Sequence, residues 1–414
     1  MKLLLILLGL LFIMPLAAQE GGLPEWDFDT LFYLPPEEPP EDPEEMEGFS
    51  PAAMLSQPGF TFHGTFEFAM GLVPGWDEAP WYEAEDRGFS WGPVARVRFR
   101  FDLDTQISEI LRVRSSLFFT LPGYDIELRE FFFDYTLFDR IFFRGGRFNH
   151  SWGFSPNFAF TNLIARVPDP SHTDDPFILR ANIPVGIGGF QFLALTRRDL
   201  LYGEDVHPSD VGYGGKFNLA LRWADIDIGA FYQETMPLRG ILSIRTTIGQ
   251  TEWYNEWLGA VDLNRPHNVG HAVNLGFFRD FFRSRLTVNG EIFYNSERGT
   301  YWHSPETSIR EADTFLFNDG LNLAFNMIYR FRGRSNPRFF IQALYAPAQN
   351  SAQLVPGFRL TPWEHLEFYF AVPMALGCRN GHYYRNTADP RGNRPFAIVM
   401  LLTLTGGIRI GQNQ

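Results

Sequence analysis

Arg96, Arg98 and Arg100 stand at every second position of the stretch RVRFRFDLD. Each guanidinium is a planar fork of N–H donors that suits phosphate, carboxylate and acidic sugars. Arg112 and Arg114 follow on the next stretch of the same kind, then Arg129, Arg144 and Arg147. Of the 35 Lys and Arg residues, only Lys2 and Lys216 are lysines. Two chemistries fit such a row. A basic ladder attracts anions, because charged rows and rings set the selectivity of a pore. An ion-pair lattice with Asp102, Asp104, Glu109, Glu127 and Glu130 instead stiffens a wall.

Other candidates carry less. GFSWG, residues 88–92, matches G-x-S-x-G, but a nucleophile elbow needs a strand-to-helix turn. Ser90 opens an alternating strand with no helix after it. His150-Ser151 borders a long loop and has no identifiable acid partner. Cys378 and His382 are a lone pair of ligand types, short of a zinc site. There is no H-E-x-x-H and no phosphate-binding glycine loop. The expectation is no enzyme, no metal and no cofactor.

Strict alternation of charged and apolar residues marks a strand with two unlike faces. From residue 60 onward such segments recur. FTFHGTFEFAM places Phe60, Phe62, Phe66, Phe68 and Met70 on one face, and KFNLALRW, RLTVNGEIFY and LNLAFNMIYRF repeat the scheme. No stretch reads as an amphipathic helix. Strands are expected at 60–71, 89–103, 108–120, 125–136, 140–149, 176–183, 187–197, 211–223, 226–235, 240–249, 252–262, 271–280, 285–295, 319–332, 338–347, 353–362, 365–374 and 395–410. The weakest of these lie within 240–262. Tight turns are expected at DLDTQ (102–106), LFDR (137–140), IPVG (183–186) and WADI (223–226). The long connections 72–88, 150–175, 198–210, 296–318 and 375–394 all fall at one end.

Short turns at one end and long loops at the other are the pattern of a transmembrane β-barrel with periplasmic turns and outer loops. The expected fold is all-β: one antiparallel barrel of about 18 strands, or 16 if a hairpin is overcounted. A propeller would repeat a blade motif, and stacked sandwiches would need linkers; neither is seen after residue 60. Closure leaves no unpaired strand edge in hydrocarbon. Aromatics at 16%, with 43 Phe, suit a lipid-facing belt and its girdles. In lipid an arginine row would cost several kcal/mol at midplane depth, so it must face a lumen.

MKLLLILLGLLFIMPLAAQE has the n-region, apolar run and small-residue cleavage site of a signal peptide, residues 1–18. Residues 19–58 follow as an acidic, Pro/Glu-rich arm that cannot bury enough surface to order itself. The net charge of −13 belongs largely to this arm, which has no Lys or Arg; the barrel domain, 59–414, is close to neutral. The arm is either solvated or a docking segment for a basic periplasmic partner. The single cysteine, Cys378, excludes an intramolecular disulfide.

ELREFFFDYTLFDRIFFRGGRFNHSWGFSPNFAF, residues 127–160, resembles a strand pair in large bacterial outer-membrane porins and exporters of the phosphate-selective and alginate-export kinds. There a Leu-Arg-Glu-aromatic strand precedes a Gly-Arg strand ending in Trp-Gly. The matching positions are Leu128, Arg129, Glu130, Tyr135, Gly146, Arg147, Trp152 and Gly153. The resemblance covers under a tenth of the chain. It implies a channel-like barrel in the cell outer membrane, surrounded by outer-membrane lipid and inserted by the barrel assembly machinery. Such barrels usually end on an aromatic residue; here the last strand ends at Ile410. By the same analogy the long loop 150–175 folds inward, with Phe158, Phe160, Asn162 and Arg166 as constriction candidates.

The expected function is a porin-like channel for small polar or anionic solutes, lined by Arg96, Arg98, Arg100, Arg112, Arg114, Arg129, Arg144 and Arg147. The alternatives are a non-conducting surface barrel binding ligands through loops 296–318 and 375–394, and, more remotely, a barrel enzyme. No nucleic-acid partner is expected.

Overall fold

A computed structural model describes residues 60–411 except 77, 79, 81–87, 149, 159–175, 197–199, 201–205, 235–236, 262, 264–268, 297–319, 334 and 379–394. Residues 1–59, with the expected signal segment and acidic arm, and Phe160, Asn162, Arg166, His382 and most of the loops 296–318 and 375–394 lie outside the described residues.

Eighteen antiparallel strands close into one barrel. They are β1 (Phe60–Leu72), β2 (Pro93–Ser108), β3 (Leu111–Leu121), β4 (Asp125–Leu137), β5 (Ile141–Arg147) and β6 (Phe177–Val185). Next come β7 (Gly188–Thr196), β8 (Val211–Ala220), β9 (Asp225–Tyr232), β10 (Leu238–Ile248), β11 (Thr251–Val261) and β12 (Val269–Phe281). The last six are β13 (Leu286–Asn295), β14 (Gly320–Arg330), β15 (Arg338–Ala346), β16 (Ser351–Trp363), β17 (Leu366–Ala371) and β18 (Val399–Gly411). β1 pairs with β2 on one side and with β18 on the other, from Thr61↔Gly411 to Leu72↔Met400. That seam satisfies the last edge. Four two- to four-residue strands extend the wall at the loop end, among them Gly75–Trp76 and Met374–Gly377.

Connections after even-numbered strands are two to four residues, except 331–337 after β14; those after β1, β5, β7, β13 and β17 are long. Both ends of the barrel chain, Phe60 and Gly411, lie at the turn end. The expected turn at 102–106 is a correction: β2 runs on to Ser108, and the turn is Glu109-Ile110. Asp disfavours strands locally. Here Asp104 is held opposite Arg114 on β3, and the pairing overrides the propensity. The hairpin within 240–262 forms, closed by Gly249 with φ of 66°.

The pleat separates two environments. Outward, Phe101, Leu117, Leu179, Phe192, Leu275, Ile292, Phe325 and Phe368 form an exposed apolar belt around the whole barrel. On a water-soluble surface a belt of this extent would be an aggregation face. Inward lie the charged and amide side chains in the turn-end and middle parts, and apolar side chains near the loop end.

Candidate functional site

The inner face of β1 to β6 carries most of the arginines. Arg96 bonds Glu67 at 3.0 Å. Arg100 pairs with Asp102 at 2.8 Å. Arg112 pairs with Asp104, and Arg114 reaches Glu130 at 3.8 Å. Arg144 holds Asp134 through both arms of its fork, at 2.7 and 2.9 Å. Phe118, directly opposite Arg100, lies beneath three guanidiniums: Arg129 at 4.8 Å from its centroid, Arg100 at 5.4 Å and Arg98 at 5.9 Å. Such cation–π contacts keep the guanidiniums close to the wall.

Arg129 reaches this face by a bulge. The β3–β4 register shifts between Ser116 and Leu117, so Glu130 faces Ser116 and Leu128 faces Leu117. One residue is left over, and Arg129 bonds Glu127 at 3.0 Å. Arg147 stands apart, only 3% exposed at the loop end of β5. Sequence reading passed over Arg180, on β6. It stacks on Phe148 at 5.6 Å and sits 3.2 Å from His150 Nδ1.

The second part of the site is the chain just after β5. Gly146, at φ of 133°, has room for no Cβ against the Phe131 carbonyl. It turns the strand inward. Residues 150–158 then run along the inner wall as far as β14, about half the circumference from β5. Trp152 donates to Gln191 at 2.7 Å and packs where Gly214 leaves space. Phe154 lies under Arg245 at 4.7 Å, and its N–H donates to Glu256 at 2.6 Å.

Glu291 on β13 closes the latch. It accepts from Ser155 Oγ (2.6 Å), Asn157 N–H (3.0 Å), Asn157 Nδ2 (2.7 Å) and Phe158 N–H (3.2 Å). Tyr254 OH and Asn274 Nδ2 also donate to it, each at 3.0 Å. Asn157 is further tied to Asn289 at 2.8 Å and Asn326 at 2.6 Å. A carboxylate 3% exposed is tolerable only with this many donors. Tyr254 reaches it because its ring lies over Gly276, where any Cβ would collide.

Above the latch Phe148, Trp152 and Phe158 pack with Ile178, Leu193, Leu195, Phe231, Ile241, Leu258 and Phe293 as a core inside the barrel. Phe158 stacks on Phe293 at 5.0 Å and is 3% exposed, so its ring anchors the loop against the wall. The sequence signal for this core is the loss of alternation near the loop end. Phe231-Tyr232 and Trp257-Leu258 are apolar on both faces, as in a doubly covered strand.

Burial among Arg180, Lys216 and Arg144 lowers the His150 imidazole from its usual 6.5 to about 4, against the opposing Gln191 hydrogen bond. The imidazole is therefore neutral in the latched loop. Once released it titrates near 6.5, so the latch is at full strength above that pH and weakens as pH falls toward 4. Thermal stability of the folded barrel should fall between pH 7 and 5, and His150→Gln should flatten that part of the profile. An unchanged slope would remove His150 from the latch.

Ser90 lies in a two-residue strand opposite Gly75, and Cys378 is exposed. Among the described residues no group of three or more His, Cys, Asp or Glu is placed to hold a metal.

A closed barrel of eighteen strands with an apolar outer wall, a charged inner wall and an inward loop has the architecture of the porin-like barrels. Crystal structures of Pseudomonas aeruginosa OccK5 (OpdH) and OccK3 (OpdO) each match at a TM-score of 0.53, with 8% and 10% identity. The alignments cover 85% and 84% of this chain and 98% and 96% of theirs. Acinetobacter baumannii OccAB2 matches at 0.51 and 10% identity, over 84% of this chain and 98% of that one. At such identities the likeness is one of fold. No family model and no curated protein matches the chain.

Proposed function

We propose that the chain is an outer-membrane channel for small polar or anionic solutes, narrowed by the loop segment 150–158. The observation that carries this reading is the loop tied along the inner wall by Glu291. A barrel used only as a scaffold for surface loops has no need of a hydrogen-bonded segment at mid-depth. The solved barrels of the same fold are outer-membrane porins, and the apolar belt supports a lipid setting.

Solutes pass along the β1–β6 wall, where the arginines meet them. Arg96, Arg100, Arg112, Arg114, Arg129 and Arg144 each have a carboxylate beside them, so most of the ladder's charge is neutralised. By count, the inner wall of these strands holds eight arginines, Arg98 and Arg180 included, against seven carboxylates, so the net field favours anions mildly. In a salt gradient across a planar bilayer, the reversal potential should indicate a modest preference for chloride over potassium. Arg180→Ala should move it toward zero. Cation preference, or a value indifferent to both Arg98→Ala and Arg180→Ala, would reduce the ladder to an ion-pair lattice.

A further inference from the structure

The turn end of the barrel is a rim of arginines. Arg140, Arg222, Arg283 and Arg332 sit in four of its turns, all exposed. None of the four has a carboxylate partner among the described residues. Glu109, Asp139 and Glu364 are the acids of these turns, so the rim is net positive. The opposite end differs: the loop 73–92 alone contains Asp77, Glu78, Glu83, Glu85 and Asp86 against Arg87.

β1 starts at this basic end, where Phe60 pairs with Thr105. The residues joined to it, 19–57, contain eleven carboxylates and no lysine or arginine. Fully extended, a segment of this length reaches about 130 Å, enough to meet every turn. A tether also holds its charges at an effective concentration on the order of millimolar. Weak individual ion pairs therefore act together.

We propose that the acidic segment 37–47 (EEPPEDPEEME) docks on the arginine rim of its own barrel. The occupant is set by charge complementarity and by the point of attachment, and the inference does not depend on whether the barrel conducts. The Pro residues favour an extended chain, which spreads the carboxylates along the rim.

The test uses the full chain, refolded in detergent, with Cys378→Ser and spin labels at Pro40→Cys and Gln250→Cys. Gln250 lies in an exposed turn at the rim. Docking predicts a short, narrow distance distribution at low salt. At 1 M salt, where the screening length is about 3 Å, the distribution should broaden. A free flexible tether between residues 40 and 60 would have a root-mean-square span of roughly 25 Å. The fourfold variant Arg140→Gln, Arg222→Gln, Arg283→Gln, Arg332→Gln should be broad at both salts, with its barrel fold checked by gel mobility before and after heating. A broad distribution at low salt in the intact rim would overturn the proposal and leave the arm open to a separate basic partner. A narrow distribution that survives the fourfold change would place the arm elsewhere and overturn it equally.

Discussion

Glu291→Ala releases residues 155–158 from the inner wall and raises single-channel conductance severalfold. The carboxylate is the common acceptor for Ser155, Asn157, Phe158, Tyr254 and Asn274. Removing it takes their charged acceptor from Ser155 Oγ, Asn157 N–H, Tyr254 OH and Asn274 Nδ2. Each charge-assisted bond is worth about 1.5–3 kcal/mol net, and breaking a buried network of this kind costs about 3–5 kcal/mol. That cost falls on the loop, since the strand ladder does not pass through Glu291's side chain. The barrel therefore stays closed while the loop is freed. Glu291→Gln keeps the volume but points an N–H at N–H donors, and should give a smaller rise. A folded Glu291→Ala barrel with wild-type conductance would mean the loop does not limit the pore.

The second large effect separates the two faces. Phe192 is 50% exposed and lies beside Phe190 on the outer belt. Phe192→Arg puts a charge in hydrocarbon and should cost about 2–4 kcal/mol near the midplane. Thr403 is on the inner face, opposite Glu367. Thr403→Arg gains a carboxylate neighbour in water and should change stability by less than about 1 kcal/mol. Urea unfolding from lipid vesicles measures both. Equal effects, or a harmless Phe192→Arg, would contradict a lipid-facing belt.

The barrel was legible because alternation is local. Each strand's two faces can be read within about ten residues, and the one-sided long loops order the strands. The turn at DLDTQ misled because Asp is a turn residue by propensity, whereas here Asp102 and Asp104 are ion-pair partners of Arg100 and Arg112. Arg129 was legible as a residue type but not in its route to the lumen, which depends on a one-residue bulge. The latch was not legible at all. Glu291 meets Ser155 across 136 residues of chain, and nothing in LTVNGEIFYN distinguishes its carboxylate from a solvated one. Only closure of the barrel brings β5 and β13 onto a shared interior. Arg180 was missed for a related reason: it stands alone in FILRANIPV, outside any row, and gains its setting from Phe148 and His150 on the inward loop.

Single-channel recording of the wild-type chain beside Glu291→Ala, both refolded and reconstituted in planar bilayers, bears most directly on a channel narrowed by a latched loop. Discrete small steps in the wild type and larger, noisier steps in the variant are the predicted result. Folded barrels that insert and give no steps in either form would contradict it.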